Sequence, residues 1–415
     1  MSLIACLHTV PDPRSERNRR HDLAEILICL ILGYAAGKVS IRKALEWCER
    51  HLKWIRRFIP LQKGVASVPT ASRILSQIDE ELFLYAFMEW IGEKLETRGI
   101  HLIIDGKALR ASAEKVKNGN VPYVLNAIDA GTGLVLAQLP IEAKTNEITA
   151  IPKLLSLLDL KGTTVTIDAI GTQTSIMEQI LESGGHFVFT VKKNHPATYS
   201  EMMDIFEDLQ AEKAQKNRDP QYHENFREQM EKYDEYESTE KNRGRIEYRY
   251  YKICNDTALL SRSGSDWYFI KSIGHVRQIR IKIRKDQDGN DITTTLEEFL
   301  EERRRQKAGA TDETDDDFQD VGIVSDMELT AEEMGRIKRE HWKIENSCHH
   351  VLDDTMREDR SPAKKSKNNL ALIRKFAYNI LRLILNEHPE GKSIADLKEI
   401  LSDEPDRMKK YIFEG

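Results

Sequence analysis

At Gly99 the hydrophobic pattern of this chain changes period, and that change limits the folds open to it. Upstream, "LAEILICLILGYAAG" (23–37) and "ELFLYAFMEWIGEKL" (81–95) carry apolar residues at helical spacing. Downstream, "IHLIIDG" (100–106) is a short apolar run, and "PYVLNAIDAGTGLVLAQLPI" (122–141) reads as two strands around a turn. A helix over 146–162, a strand over 163–171, a helix over 172–185 and a strand over 186–194 follow. The order β-β-β-α-β-α-β predicts an α/β protein with a mixed sheet and helices packed on it. Residues 199–242 are highly charged and expected to be helical, with strands at 244–254 and 266–283. The polar, acidic stretch 285–320 reads as a surface excursion or disordered loop. Order returns at 329–354, where Thr330 and Glu333 form a capping box.

A chain of 415 residues has room for two or three domains, and 40 % hydrophobic with 31 % charged residues implies a globular core. Five scattered cysteines without a CxxC argue for a reducing compartment and against a disulfide framework or zinc ribbon. The most apolar run, Leu23 to Ala36, is too short for a bilayer and contains Glu25, so no membrane span and no cleavable signal are expected. Net charge is −6, yet residues 14–57 hold eleven Arg or Lys against five acids. Residues 360–385 hold seven basic residues and no acids. Either a phosphate-backbone partner or two solvated helical faces accounts for this. The segment "SVPTASRILSQID" (67–79), bearing Arg73, suits a helix-turn-helix variant or a plain helical bundle.

Two acids terminate apolar runs: Asp105 in "LIIDGK" and Asp168 in "VTIDAI". A carboxylate at the end of a buried strand is costly unless a cation pairs with it. Neighbouring strand ends of a mixed sheet lie together, so the two acids are expected to converge and to suit Mg²⁺ or Mn²⁺. The alternative is that each caps the turn that follows it. On a helix, His341, Glu345 and His349 share one face and Asp353 prolongs the stripe. A structural zinc site there needs a fourth ligand, and the spacing is not HExxH. Two strand-end aspartates with a helical glutamate match the acidic set of two-metal phosphoryl transfer. Lys107, Arg110, Lys192 and Lys193 are placed to hold a scissile strand.

"IDGKALRAS" (104–112), "EAKTNEITAIPKLLSLLDLKGTTVTIDAIGTQ" (142–173) and "HWKIENSCHHVLDDTMRED" (341–359) resemble the DDE transposases of the ISAs insertion-sequence group, the H-repeat-associated proteins. "DPRSERNRRHDLAEILICLILGYAAG" (12–37) resembles the helical domain preceding the core in that group. The resemblance implies an RNase H-like mixed-sheet catalytic domain (99–385) with a β-rich insertion at about 199–328. An all-helical, DNA-binding N-terminal domain (1–98) would precede it and a C-terminal tail (386–415) would follow. Carried over by motif, Asp105, Asp168 and Glu345 are the catalytic, metal-holding acids. His341, Trp342, Asn346 and His349 line the DNA-facing site. Two Mg²⁺ (or Mn²⁺) ions, hydrolysis at the ends of a DNA element, and strand transfer into target DNA are implied. So are double-stranded DNA as partner, a homodimer on it, and a cytoplasmic, nucleoid-associated location. The family has Trp and a hydrophobic residue where this chain has His350 and Asp354. Two rival readings are a non-transposing nuclease on the same fold and a domesticated copy that only binds DNA.

Overall fold

The computed structural model describes residues 1–95, 99–108, 123–141, 147–218, 231–242, 244–260, 267–285, 291–292, 294–307, 318–358, 366–389 and 393–414. The chain opens with α1 (Leu3–His8), α2 (Leu23–Ala35), α3 (Ile41–Arg50), α4 (Leu52–Ile55), α5 (Val68–Leu75) and α6 (Glu80–Gly92). Then come β1 (His101–Ala108), β2 (Tyr123–Asp129), β3 (Val135–Ile141), α7 (Glu147–Leu155), β4 (Thr164–Ile167), α8 (Thr174–Glu182) and β5 (His186–Val191), the expected β-β-β-α-β-α-β order. Next are α9 (Pro196–Arg218), β6 (Tyr233–Asn242), β7 (Arg245–Cys254), β8 (Ser272–Lys282), the short pair β9 (Arg284–Lys285) and β10 (Asp291–Ile292), α10 (Leu296–Lys307) and β11 (Phe318–Ser325). α11 (Ala331–Ile344) runs into π-helical turns at Glu345–His349 and Val351–Thr355, and α12 (Lys367–Glu387), α13 (Ile394–Asp403) and α14 (Lys409–Ile412) end the chain. Apart from β9 and β10, the strands form a mixed sheet in the order β3-β2-β1-β4-β5-β11-β8-β7-β6. Among the described residues no helix is long and apolar enough to cross a membrane.

The chain divides into two compact units, Met1–Val165 with Glu182–Gly185 and Glu340–Gly415, and Thr166–Leu181 with His186–Arg339. In the first, α2 is buried on all sides, as a helix apolar around its whole circumference must be. Its one acid, Glu25, is satisfied by the Leu61 N–H at 2.8 Å. Gly33 lets α3 approach: a Cβ there would sit 2.5 Å from Ala44 Cα. α12 is the other buried helix, and Phe376 stacks edge-on against Phe87 with ring centroids 4.8 Å apart. Asn369 of α12 donates to Leu75 O at the end of α5 (2.9 Å). Asn379 bonds both N and O of Val135 on edge strand β3, so one helix serves the N-terminal helices and the sheet alike.

The second unit is built on antiparallel β5-β11-β8-β7-β6. Tyr251, Ile253, Val276, Val321 and Ile323 form its core with Leu329, Met334 and Ile337. Gly274 is required there, because a Cβ would lie 2.2 Å from Met334 Sδ.

Several expectations change. Residues 233–242, expected to be helical, are strand β6, paired along its whole length with β7. Its charges read as helical surface but serve cross-strand ion pairs such as Glu240 with Arg249 at 3.1 Å. Part of the expected loop 285–320 is helix α10, and 308–317 lie outside the described residues. The expected tail is folded: Trp47 donates to Ser402 O (3.1 Å), and Leu397 and Leu401 are buried. The basic runs are not simple faces either, since Arg14, Arg374 and Lys375 are all buried.

The largest correction concerns Lys107. It is not available to a DNA strand but is 5 % exposed, paired with Glu358 and with Asp353 Oδ1 at 2.6 Å. Lys375 and Arg374 lie near enough to add to the field, and Glu358 is itself 4 % exposed. A buried charge is tolerated only with its partner, so this cluster ties β1 to the segment after Glu345. Lys107→Met should cost about 3–5 kcal/mol in urea unfolding, with much of it regained in Lys107→Met/Glu358→Gln. Burial opposes ionisation of Glu358, but the Lys107 ammonium beside it and the Lys375 and Arg374 charges hold its carboxyl at about 2. A carboxyl depressed on folding stabilises above its unfolded range, about 4.3. Urea midpoints should therefore fall as pH drops from about 5 toward 2, and the fall should shrink in the double variant.

Candidate active site

Asp105 lies inside β1 rather than at its end, because Lys107 and Ala108 continue the pairing opposite Val124 and Tyr123. Its Oδ1 accepts the Gly106 N–H at 2.9 Å. Asp105 faces Asn126 of β2, and Asn126 faces Gln138 of β3, so a polar row crosses three strands. Asn126 is fully buried, and neither of its side-chain polar atoms has a hydrogen-bond partner. A Cβ at Gly106 would meet Glu147 Oε1 at 2.6 Å, so any larger residue there would displace that carboxylate. Glu147 is thus a buried carboxylate adjoining the strand of Asp105, and the sequence reading missed it.

Glu345 begins the first π-helical turn and His349 ends it. Such wider turns recur at functional sites. Here the turn carries an exposed glutamate and a buried histidine on the same side. His349 Nδ1 lies 3.4 Å from Asp105 Oδ2 and 3.6 Å from Glu345 Oε2. One ligand atom from each of Asp105, Glu345 and His349 falls within 4.8 Å of the other two. His349 is 5 % exposed, and its Nε2 is buried without a partner. Two carboxylates, an imidazole and orphaned polar atoms beside them fit a divalent cation. The expected stripe is only partly realised, because His341 is not among these donors and Asp353 turns to Lys107. Nor do the residues around 341–350 gather four zinc ligands among the described residues.

Asp168, in the second unit, follows β4 directly and is exposed. Its side chain makes no cap hydrogen bond to the 3-10 turn behind it. Lys192 Nζ lies 3.7 Å from Asp168 Oδ1. Asn194, another residue missed in the sequence, fixes this corner by donating to Ala169 O (2.7 Å) and accepting from Lys192 N (3.1 Å). Lys338 of α11 donates to Thr190 Oγ1 at 2.6 Å. Desolvation and the nearby Lys192 charge push its ammonium down to about 8, against the opposing pull of Asp168.

Of the other sequence-predicted contacts, Arg73 and Lys193 are exposed and His341 is half-buried. Trp342 is 41 % exposed, so it does not pack the helix as an interior residue. Arg110 and the Asn346 side chain lie outside the described residues. His350 Nδ1 and Asp354 Oδ2 are 2.6 Å apart on the exposed face. The two departures from the resembled motif thus contact each other.

A family model described as "Transposase DDE domain" matches residues 96–380, and one described as "DDE_Tnp_1-associated" matches residues 4–91. "Putative transposase YncI" of Escherichia coli O157:H7 is 29 % identical over 92 % of this chain and 87 % of its own length. "H repeat-associated putative transposase YhhI" of Escherichia coli (strain K12) is 28 % identical over 91 % of this chain and 90 % of its own. A cryo-EM structure of the piggyBac transposase synaptic complex with hairpin DNA aligns at a TM-score of 0.41, with 12 % identity. It covers 98 % of this chain and 78 % of that one. With its model matching more than half the sequence, the chain belongs to the DDE transposase family, enzymes of DNA transposition that require a divalent metal.

Proposed function

We propose that Asp105, Asp168 and Glu345 are the acidic triad with which this transposase cleaves the ends of its element and joins them to target DNA. The observation that carries the reading is the gathering of Asp105, Glu345 and His349 donor atoms within 4.8 Å, in a chain of this family. Asp168 enters through its motif "TVTIDAIG" and its exposed position after β4. Asp105, Asp168 and Glu345 would hold two Mg²⁺ or Mn²⁺ ions, which supply Lewis-acid polarisation of the phosphodiester and lower the pKa of a bound hydroxyl. Asp105 is rigidly carried on a strand and partly covered, whereas the Glu345 side chain is 61 % exposed and open to an approaching backbone. Water attacks first and frees a 3′-hydroxyl, which then attacks the target phosphodiester.

Lys192, Lys193, His341, Trp342, Asn346, Arg110 and Arg73 are the proposed DNA contacts. The exposed Lys193 suits a phosphate and the exposed Trp342 suits a sugar or base face. Two element ends need two sites, which supports a homodimer on DNA, and a DNA substrate supports a nucleoid-associated location.

On DNA carrying the inverted repeats of its own element, nicking should require Mg²⁺ or Mn²⁺. Asp105→Asn, Asp168→Asn and Glu345→Gln should each lower it by on the order of 10³-fold, with DNA affinity largely kept. Full activity in any of the three variants removes that residue from the triad. Nicking without joining would favour the nuclease reading, and binding without nicking the domesticated one. Lys193→Ala should weaken binding across sequences and reduce the slope of log K against log [salt] by about 1. An unchanged slope would remove Lys193 from the contact set.

A further inference from the structure

We propose that His349 is a direct nitrogen ligand of the cation held by Asp105 and Glu345, which biases that site toward Mn²⁺ over Mg²⁺. The inference rests on the reading of those two acids as metal-holding, and adds a donor that the acidic triad does not contain.

The geometry is the first argument. A single nitrogen, Nδ1, is approached by one carboxylate oxygen at 3.4 Å and by another at 3.6 Å. An N–H donates well to oxygen at about 2.9–3.0 Å, and a contact at 3.6 Å is not a hydrogen bond. A lone N–H also cannot point at both acids. Neighbouring donors around an octahedral ion with bonds of 2.0–2.1 Å are instead about 3 Å apart. Nδ1 therefore stands only a few tenths of an ångström farther from each carboxylate than neighbouring ligands of a common ion do.

Burial is the second argument. The ring is 5 % exposed, yet it is not placed by any hydrogen bond of its Nε2. Its orientation comes from the π-helical turn, which puts residues 345 and 349 on the same side as Asp105. An imidazole buried among aliphatic neighbours would normally spend both nitrogens on local partners. This one turns a nitrogen to two acids and leaves the other covered.

The donor set then argues for the metal. Mg²⁺ is a hard ion that takes oxygen ligands and keeps its water, whereas imidazole suits first-row transition ions. Two carboxylates and one imidazole discriminate against Mg²⁺ in a way that an all-carboxylate set does not. Manganese is the first-row ion that tolerates such an oxygen-rich set best.

The test uses the full-length protein with Mn²⁺ alone, without DNA. Pulsed EPR of the bound Mn²⁺ should show coupling to a directly ligated nitrogen, and the signal should change when the protein is made with ¹⁵N-histidine. His349→Gln should abolish the coupling and lower Mn²⁺ affinity in calorimetry by about tenfold, with a smaller change for Mg²⁺. His341→Gln should keep the coupling. If His349→Gln does not fold, the isotope experiment on the native chain still decides whether histidine is bound. Mn²⁺ that binds in an Asp105-dependent way without nitrogen coupling overturns the inference but leaves the carboxylate reading standing. Coupling retained in His349→Gln also overturns it. Mn²⁺ affinity unchanged in both Asp105→Asn and Glu345→Gln overturns the carboxylate reading and the inference with it.

Discussion

A lysine two positions beyond Asp105 is buried, and the geometry of the first unit depends on how it is paired. Lys107 sits against Glu358 and Asp353, which lie beyond the π-helical turn that carries Glu345 and His349. One end of the link is β1 and the other is the helical segment, so the ion pair sets how far Asp105 can stand from His349. Buried pairs add little net stability over an apolar replacement, but they are costly to break and they admit few alternative arrangements. For a site that must hold donors a few ångströms apart, that restriction on arrangement matters more than added stability.

The same segment shows why a stripe on a helical wheel is an incomplete guide. An α-helical reading of His341, Glu345 and His349 puts three side chains in a row. In the structure Glu345 and His349 stand beside Asp105, and His341, one helical turn earlier, is not in the donor group. Asp353, in the second π-helical turn, pairs instead with Lys107. The polar row of Asp105, Asn126 and Gln138 extends the site into the sheet, with Glu147 packed over Gly106. In the second unit, the surroundings of Asp168 are organised by different means. There Asn194 bridges two loops through its amide, and Lys338 shares its field with Lys192 and Asp168.

Much of this was legible in advance where local signals agree. The strand order, the Thr330–Glu333 capping box and the acids of "LIIDGK" and "VTIDAI" follow from short-range patterns. What misled was charge. A charged run looks the same whether it is a solvated helix or a strand, and β6 became a strand because β7 offered a partner for all its length. Charge misled again at Lys107, Arg374 and Lys375, because a basic residue reads as surface until its acidic partner is known.

The sequence by itself determined the type and order of elements from β1 to β5, the family, and which acids to watch, because periodicity, capping and motif spacing are all local. Only the tertiary structure decided that α13 and α14 pack onto the helical core. It also turned Lys107 inward and brought a histidine 244 positions downstream within 3.4 Å of Asp105. Those outcomes depend on which distant chain segments share a buried volume. A linear pattern does not encode that, because the cost of burying a charge depends on its partner.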